Sequence, residues 1–286
     1  MFGYRSALAA GIDSSKEAIE EPVRPGIISS RIVEHAFRQP YFLYVPRHGA
    51  INASVFVTVH GISRNAREHA ESFASFAEHC GVVLVAPYFS QHDFPDYQRL
   101  GRKGKGARAD LALDRIVTEV GRLTGAQTGK LFLFGYSGGA QFVHRYTLAH
   151  PQRVAKAVLG APGWYTFPDP TVKYPKGIAQ AKSLPGVTFD PSGFLAIPTC
   201  VLVGERDVRQ DVALNKSPKI ERQQGATRLE RGGHWIAAMT RAAEVQGLKT
   251  SYTFHTLPRS RHSFTQSMRR GRMGEMVFDC LFGNKK

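Results

Sequence analysis

Three short stretches hold side chains whose types could act together in covalent chemistry. They are a serine in Gly135-Tyr136-Ser137-Gly138-Gly139, carboxylates in Gly204-Glu205-Arg206-Asp207, and a histidine in Pro258-Arg259-Ser260-Arg261-His262. A serine hydroxyl is a poor nucleophile until a base takes its proton, and the base needs an acid to orient it. Glycines two residues to either side of Ser137 fit a sharp turn in which two backbones approach without Cβ clashes. Such a turn holds its central residue in a strained conformation and lifts the hydroxyl clear of the backbone. For the acid, Asp207 competes with Glu205, Asp211 and Asp169. For the base, His262 competes with His234 in Arg231-Gly-Gly-His234-Trp235. His69, His79, His144 and His150 fall in helical runs and are expected to pack or face solvent.

The surrounding sequence supplies the elements that would position these groups. Leu131–Phe134 is an apolar strand running straight into the serine turn, and a helical run follows as far as His150. Ala53–Val59 is a β-branched strand ending at His60-Gly61. Asn65-Ala-Arg-Glu68 has the spacing of a helix start, and Ala70, Phe73, Ala74 and Ala77 continue its apolar face. Residues 82–86, 154–159, 199–203 and 250–257 read as further strands. Helices are expected over Leu113–Leu123, stopped by Gly125, over Trp235–Gln246, and over 263–282, weakened by Gly271 and Gly274. One or two strands open the chain within 31–45, and a short helix is possible on pattern at Ser15–Glu21. Strands alternating with helices, with continuous apolar strands, give an α/β protein whose mostly parallel sheet is covered on both faces. The expected organisation is an extension over residues 1–30 and one domain over 31–286. Within that domain, the proline-rich stretch 160–196 forms a lid-like excursion.

With strand, GYSGG turn and helix followed by an acid and a histidine on loops after later strands, residues 40–282 resemble the α/β-hydrolase fold. Nucleophile, acid and histidine occur in that chain order in the fold, and Ser137, Asp207 and His262 keep it. His234 precedes a strand that the fold needs ahead of its base. The resemblance implies Ser137 as nucleophile, His262 as base and Asp207 as acid. It implies an oxyanion hole from the backbone N–H groups of Gly138 and Ile62, with Gly61 as the alternative to Ile62. Two loops border the active site in this fold, which makes Tyr88, Phe89 and Trp164 the expected lining of an aromatic cleft. HGISRNA and these loops are similar to the polyhydroxybutyrate-depolymerase and feruloyl-esterase-like branch. That likeness implies a serine esterase acting on a small-molecule carboxylic ester. An acyltransferase would share every residue named. A serine peptidase of the prolyl-oligopeptidase type would carry a large additional domain, and a non-enzymatic binding protein would have lost part of the triad.

Composition excludes other classes. The 286-residue chain carries a formal charge of +15, with basic clusters at Arg99–Arg108, Lys216–Arg222 and Arg259–Arg272. No nucleic-acid motif or aromatic stacking platform accompanies them, so they read as solvated surface. No run is long and apolar enough to span a bilayer, and the N-terminus lacks the apolar core of a signal peptide. Three widely spaced cysteines, Cys80, Cys200 and Cys280, are expected as buried free thiols in a reducing cytoplasm. His, Cys and carboxylates are not spaced as ligands, so neither metal nor cofactor is expected. Oligomeric state is left open by the sequence.

Overall fold

A computed structural model describes residues 22–35 and 38–283; the helix expected at Ser15–Glu21 lies outside them. Eight strands form one sheet: β1 (Ser29–Val33), β2 (Gln39–Tyr44), β3 (Ser54–Val59), β4 (Val83–Pro87), β5 (Gln127–Tyr136), β6 (Val154–Gly160), β7 (Thr199–Gly204) and β8 (Tyr252–Leu257). Their order across the sheet is β1-β2-β4-β3-β5-β6-β7-β8. The β1–β2 and β2–β4 pairs are antiparallel, and every pair from β4 through β3 to β8 is parallel. This is the mostly parallel sheet expected from the sequence, and its topology puts the carboxyl ends of β3, β5, β7 and β8 along one edge.

Side chains alternate between two apolar layers, as a strand's period of two requires. Val55, Val57, Val59, Leu131, Leu133, Val201 and Val203 face one layer, which helices α2 (Ala109–Thr124), α3 (Gly138–Ala149) and α6 (Arg228–Val245) cover. Phe56, Phe134, Val158 and Leu202 face the other, covered by α1 (Ala66–Cys80) and α8 (Met273–Phe282). Gly81 and Gly125 end α1 and α2 in the left-handed conformation, the glycine C-cap that L side chains resist.

Two helices differ from the sequence expectation. Helix α6 starts at Arg228 rather than Trp235, because Thr227 and Glu230 form a reciprocal capping box. The last helix is two: α7 (Phe264–Gly271) and α8 are separated by Arg272 at φ 54°. The break falls there because a side chain at Gly271 would lie 2.4 Å from Ser260 Oγ, so the chain passes close and then turns. Excursion 160–196 includes a single short helix, α4 (Pro191–Leu195), and is tied to α6. Trp235 Nε1 donates to the carbonyl of Thr166, Arg231 to that of Gly163, and Gln224, in α5 (Pro218–Gln224), exchanges bonds with Tyr165.

The cysteines also depart from expectation. Cys80 is exposed, whereas Cys200 is buried and Cys280 half-buried. The Cys200 and Cys280 thiols lie 2.8 Å apart, although 80 residues separate them. Together with His255 they form the one group of three ligand-type side chains within 4.8 Å among the described residues, a grouping that sequence spacing hides.

One backbone contact fixes how α3 meets the sheet. A Cβ on Gly139 would stand 2.0 Å from the Val59 carbonyl oxygen and 2.6 Å from that of His60. A Cβ on Gly135 would stand 2.3 Å from the Gly139 carbonyl carbon. The obstructing atoms are main chain and cannot swing aside. Gly139→Ala is therefore expected to lower unfolding free energy by about 3 kcal/mol or more in urea titration, as overpacking against fixed atoms does. A loss below about 1 kcal/mol would show that α3 can back away from β3.

Three buried imidazoles add a pH dependence. His69 takes part in a 2.8 Å hydrogen bond with Thr58 Oγ1 and stacks on Phe264, so it is a packing residue. His144 pairs through Nδ1 with the Ala140 carbonyl and accepts the Thr166 N–H at Nε2. Burial holds His69 and His144 well below the ordinary histidine range and pushes His60 down to about 4. The unfolded chain binds these protons near pH 6.5 and the folded chain does not. Stability is thus fully present above pH 6.5 and is lost as pH falls toward 4, with His60 alone contributing on the order of 3 kcal/mol. Urea unfolding at pH 7, 6 and 5 should show a progressive fall; equal midpoints at pH 7 and 5 would contradict it.

Candidate active site

Ser137 follows β5 and caps α3 with φ 53° and ψ −110°, a left-handed conformation for a residue that carries a side chain. Its N–H is held by the Gly160 carbonyl at 2.6 Å. With glycines on the helix side, the turn is tight enough to leave the half-buried hydroxyl at the carboxyl edge of the sheet. His262 Nε2 stands 3.0 Å from Ser137 Oγ, and His262 Nδ1 stands 2.8 Å from Asp207 Oδ2. A carboxylate only accepts, so Nδ1 donates to Asp207 and Nε2 is left as the acceptor facing the serine O–H. The Tyr136 ring stacks on the imidazole at 5.5 Å between centroids, closing its other side.

Asp207 is 2% exposed. A lone carboxylate there would carry a heavy desolvation cost, and Arg228 offsets it. Arg228, itself 1% exposed, reaches Asp207 Oδ1 with Nη1 at 3.1 Å and grips Asp211 with Nη1 and Nη2 at 2.8 and 2.9 Å. The fork on Asp211 holds that carboxyl below its usual range. The structure thus separates the four candidate acids. Asp207 reaches the imidazole. Asp211 sits on the far side of the guanidinium. Exposed Glu205 accepts the Arg259 N–H at 2.6 Å, and Asp169 accepts from Thr171 in its own turn. His234 lies on α6 with Nδ1 2.9 Å from the Gln224 carbonyl and joins none of these groups.

The loop after β3 lies against the serine. A Cβ on Gly61 would be 3.5 Å from Ser137 Cβ, and one on Gly138 would be 3.1 Å from Ile62 Cγ2. Ile62 and Gly138 are therefore neighbours. Gly138 opens α3, where the first N–H groups have no acceptor within the helix and the dipole favours negative charge. His60 fixes the loop from inside. Its Nε2 accepts the Phe89 N–H at 3.0 Å, which puts the proton on Nδ1, and Nδ1 donates to the Gly61 carbonyl at 2.8 Å. Tyr97 donates its hydroxyl to the His60 carbonyl at 3.1 Å, and burial pushes its ionisation up, so it stays a donor.

Of the expected aromatic lining, Phe89 is a correction. Its ring is 1% exposed and packs among Phe94, Tyr97 and Phe142, so it belongs to the core and only its N–H serves the site. Trp164 is 5% exposed, with the Arg145 guanidinium 4.2 Å from its ring centroid, so it presents an edge rather than a free face. Tyr88 is half-buried beside His60, and Ile62 is half-exposed. Arg228 and Tyr97 hold Asp207 and the loop after β3 and were not singled out by the sequence; His60, expected only as part of the His60-Gly61 loop, turns out to brace it from inside. The capping-box pattern Thr227-Arg-Leu-Glu230 would have placed Arg228 on the first turn of a helix, though nothing in the sequence marks it as Asp207's partner.

No protein-family model matches the chain, and no curated protein does. Solved structures do. Poly(aspartic acid) hydrolase-1 from Sphingomonas sp. KT-1 superposes with a TM-score of 0.75 at 24% identity, over 90% of this chain and 100% of that one. LpqC, a poly(3-hydroxybutyrate) depolymerase from Bordetella parapertussis, gives 0.73 at 23% identity over 91% and 92% of the two chains. An S-formylglutathione hydrolase from Agrobacterium tumefaciens gives 0.57 at 14% identity over 89% and 94%. By its eight-stranded topology and by these likenesses, the chain has the α/β-hydrolase fold.

Proposed function

We propose that the protein is a serine hydrolase that cleaves carboxylic esters through an acyl-enzyme. The observation that supports this most is the unbroken line Asp207–His262–Ser137, with 2.8 and 3.0 Å links drawn from three separate loops. In this reading His262 Nε2 takes the Ser137 proton as Oγ attacks the ester carbonyl carbon. The carbonyl oxygen becomes an oxyanion and rests on the N–H groups of Ile62 and Gly138. Collapse of the tetrahedral adduct breaks the ester C–O bond, and His262 hands its proton to the departing alcohol. Water, deprotonated by the same imidazole, attacks the acyl-serine; the carboxylic acid leaves and Ser137 regains its proton. Asp207 keeps Nδ1 protonated throughout and stabilises the imidazolium. Arg228, 3.1 Å from Asp207 Oδ1, pairs with the carboxylate and aims it.

In this reading Ile62, which neighbours Gly138, and Tyr88, which neighbours His60, would offer apolar surface to an acyl group. The neighbours named as a poly(aspartic acid) hydrolase and a poly(3-hydroxybutyrate) depolymerase agree with a hydrolytic reading of this site.

Hydrolysis of nitrophenyl esters of graded chain length tests the assignment. Ser137→Ala should fall to background. Asp207→Asn should lower kcat by about 10⁴ with little change in KM, because the imidazole then prefers the wrong tautomer. Asp211→Asn, one guanidinium away, should keep most of the rate. A loss in Asp211→Asn that equals or exceeds that in Asp207→Asn would move the acid role, and turnover surviving in Ser137→Ala would remove the nucleophile.

A further inference from the structure

The basic stretch at the C-terminal end, read from sequence as solvated surface, folds into a concavity. Arg206, Arg259, Arg269, Arg270 and Arg272 line one hollow of about 470 Å³, and Pro258 is its remaining lining residue. Three separate segments contribute: the turn before Asp207, the loop before His262, and the α7–α8 junction. We propose that this hollow is a binding site for a small molecule carrying two or more phosphate groups.

Charge balance argues for an occupant. Glu205 lies 3.5 Å from Arg206, and Glu275 pairs with Arg272. Among the described residues, no carboxylate lies within ion-pair distance of Arg259, Arg269 or Arg270. A helix C-terminus favours cations in its last turn, which accounts for Arg269 and Arg270 being basic. It does not account for Arg206 and Arg259, which come from elsewhere in the chain and meet the same hollow. Arg259, at φ 53°, is held in the left-handed region, which costs a side-chain-bearing residue free energy. All five are exposed to solvent, where like charges separate when the surface lets them. Here they converge.

Phosphate fits this geometry best. A guanidinium fork pairs two N–H donors with two oxygens of one phosphoryl group, and each such group brings close to two charges in a small volume. Several phosphates on a compact molecule would meet the three guanidinium groups without a carboxylate partner, with Arg206 and Arg272 beside them; a carboxylate ligand of the same charge would be bulkier. The hollow also backs onto the two loops of the candidate site. Arg259 donates its N–H to Glu205, and Arg206 donates its N–H to the Ser260 carbonyl at 2.9 Å. An occupant would therefore brace the segments that carry Asp207 and His262.

Binding can be read without turnover. Calorimetric titration of Ser137→Ala protein with tripolyphosphate, at about 0.15 M salt to screen diffuse attraction, is expected to give saturable one-to-one binding. Arg269→Gln/Arg270→Gln should weaken it by about tenfold or more. Lys216→Gln/Arg222→Gln removes the same formal charge elsewhere and should stay within about twofold. Amide exchange in residues 204–207 and 258–262 should slow on binding. Equal weakening in both double variants, or no saturable binding, would overturn the proposal. Citrate binding as tightly as tripolyphosphate would overturn the phosphate assignment. Failure of the esterase reading would leave all of these readouts intact.

Discussion

The site rests on one steric constraint: α3 can start where it does only because Gly139 brings its main chain against the carbonyls that end β3. That contact sets the depth of the turn, and the depth forces Ser137 into a left-handed conformation worth of order 1–3 kcal/mol of strain. The strain is offset by the burial around it. Leu131, Leu133 and Phe134 on one side of the turn, and Ala140, Phe142 and Val143 on the other, are wholly buried. The same contact places the loop after β3 beside the serine, so the hydroxyl and the two candidate oxyanion donors are positioned by a single packing event.

The second dependency is electrostatic. Burying a carboxylate as deeply as Asp207 is costly without a partner of opposite charge, and Arg228 supplies one from the first turn of α6. Because the guanidinium also holds Asp211, it ties the loop after β7 to the helix, while His262 ties the same carboxylate to the loop after β8. Removing Arg228 would leave buried Asp207 without its cation and beside the half-buried Asp211 carboxylate. In the proposed mechanism the arginine would act through Asp207 as a positioning residue, and its helix starts where Thr227 and Glu230 cap it.

Much of this was legible in the sequence, for physical reasons that differ by element. Strands such as Ala53–Val59 and Thr199–Val203 are continuous apolar runs because they are covered on both faces, and such runs announce themselves. Gly-x-Ser-x-Gly was legible because the turn admits few residue types. What the sequence hid depends on contacts between distant segments. Phe89 looks like any loop aromatic until its ring meets Phe94, Tyr97 and Phe142. Nothing local says that Cys200 and Cys280 touch, or that Arg206 shares a hollow with Arg270. Gly271 and Gly274 mark the weak stretch of the last helix, but the residue that splits α7 from α8 is Arg272, in the left-handed region next to the close approach of Gly271 and Ser260.

The central claim is that one strained serine is the nucleophile. Treating the native protein with a fluorophosphonate and mapping the adduct by peptide mass spectrometry tests it most directly. The account predicts a single stoichiometric adduct on the peptide containing Ser137, with loss of the fluoride and no other serine modified. An adduct on a different residue, or none under conditions that label other serine hydrolases, would contradict it.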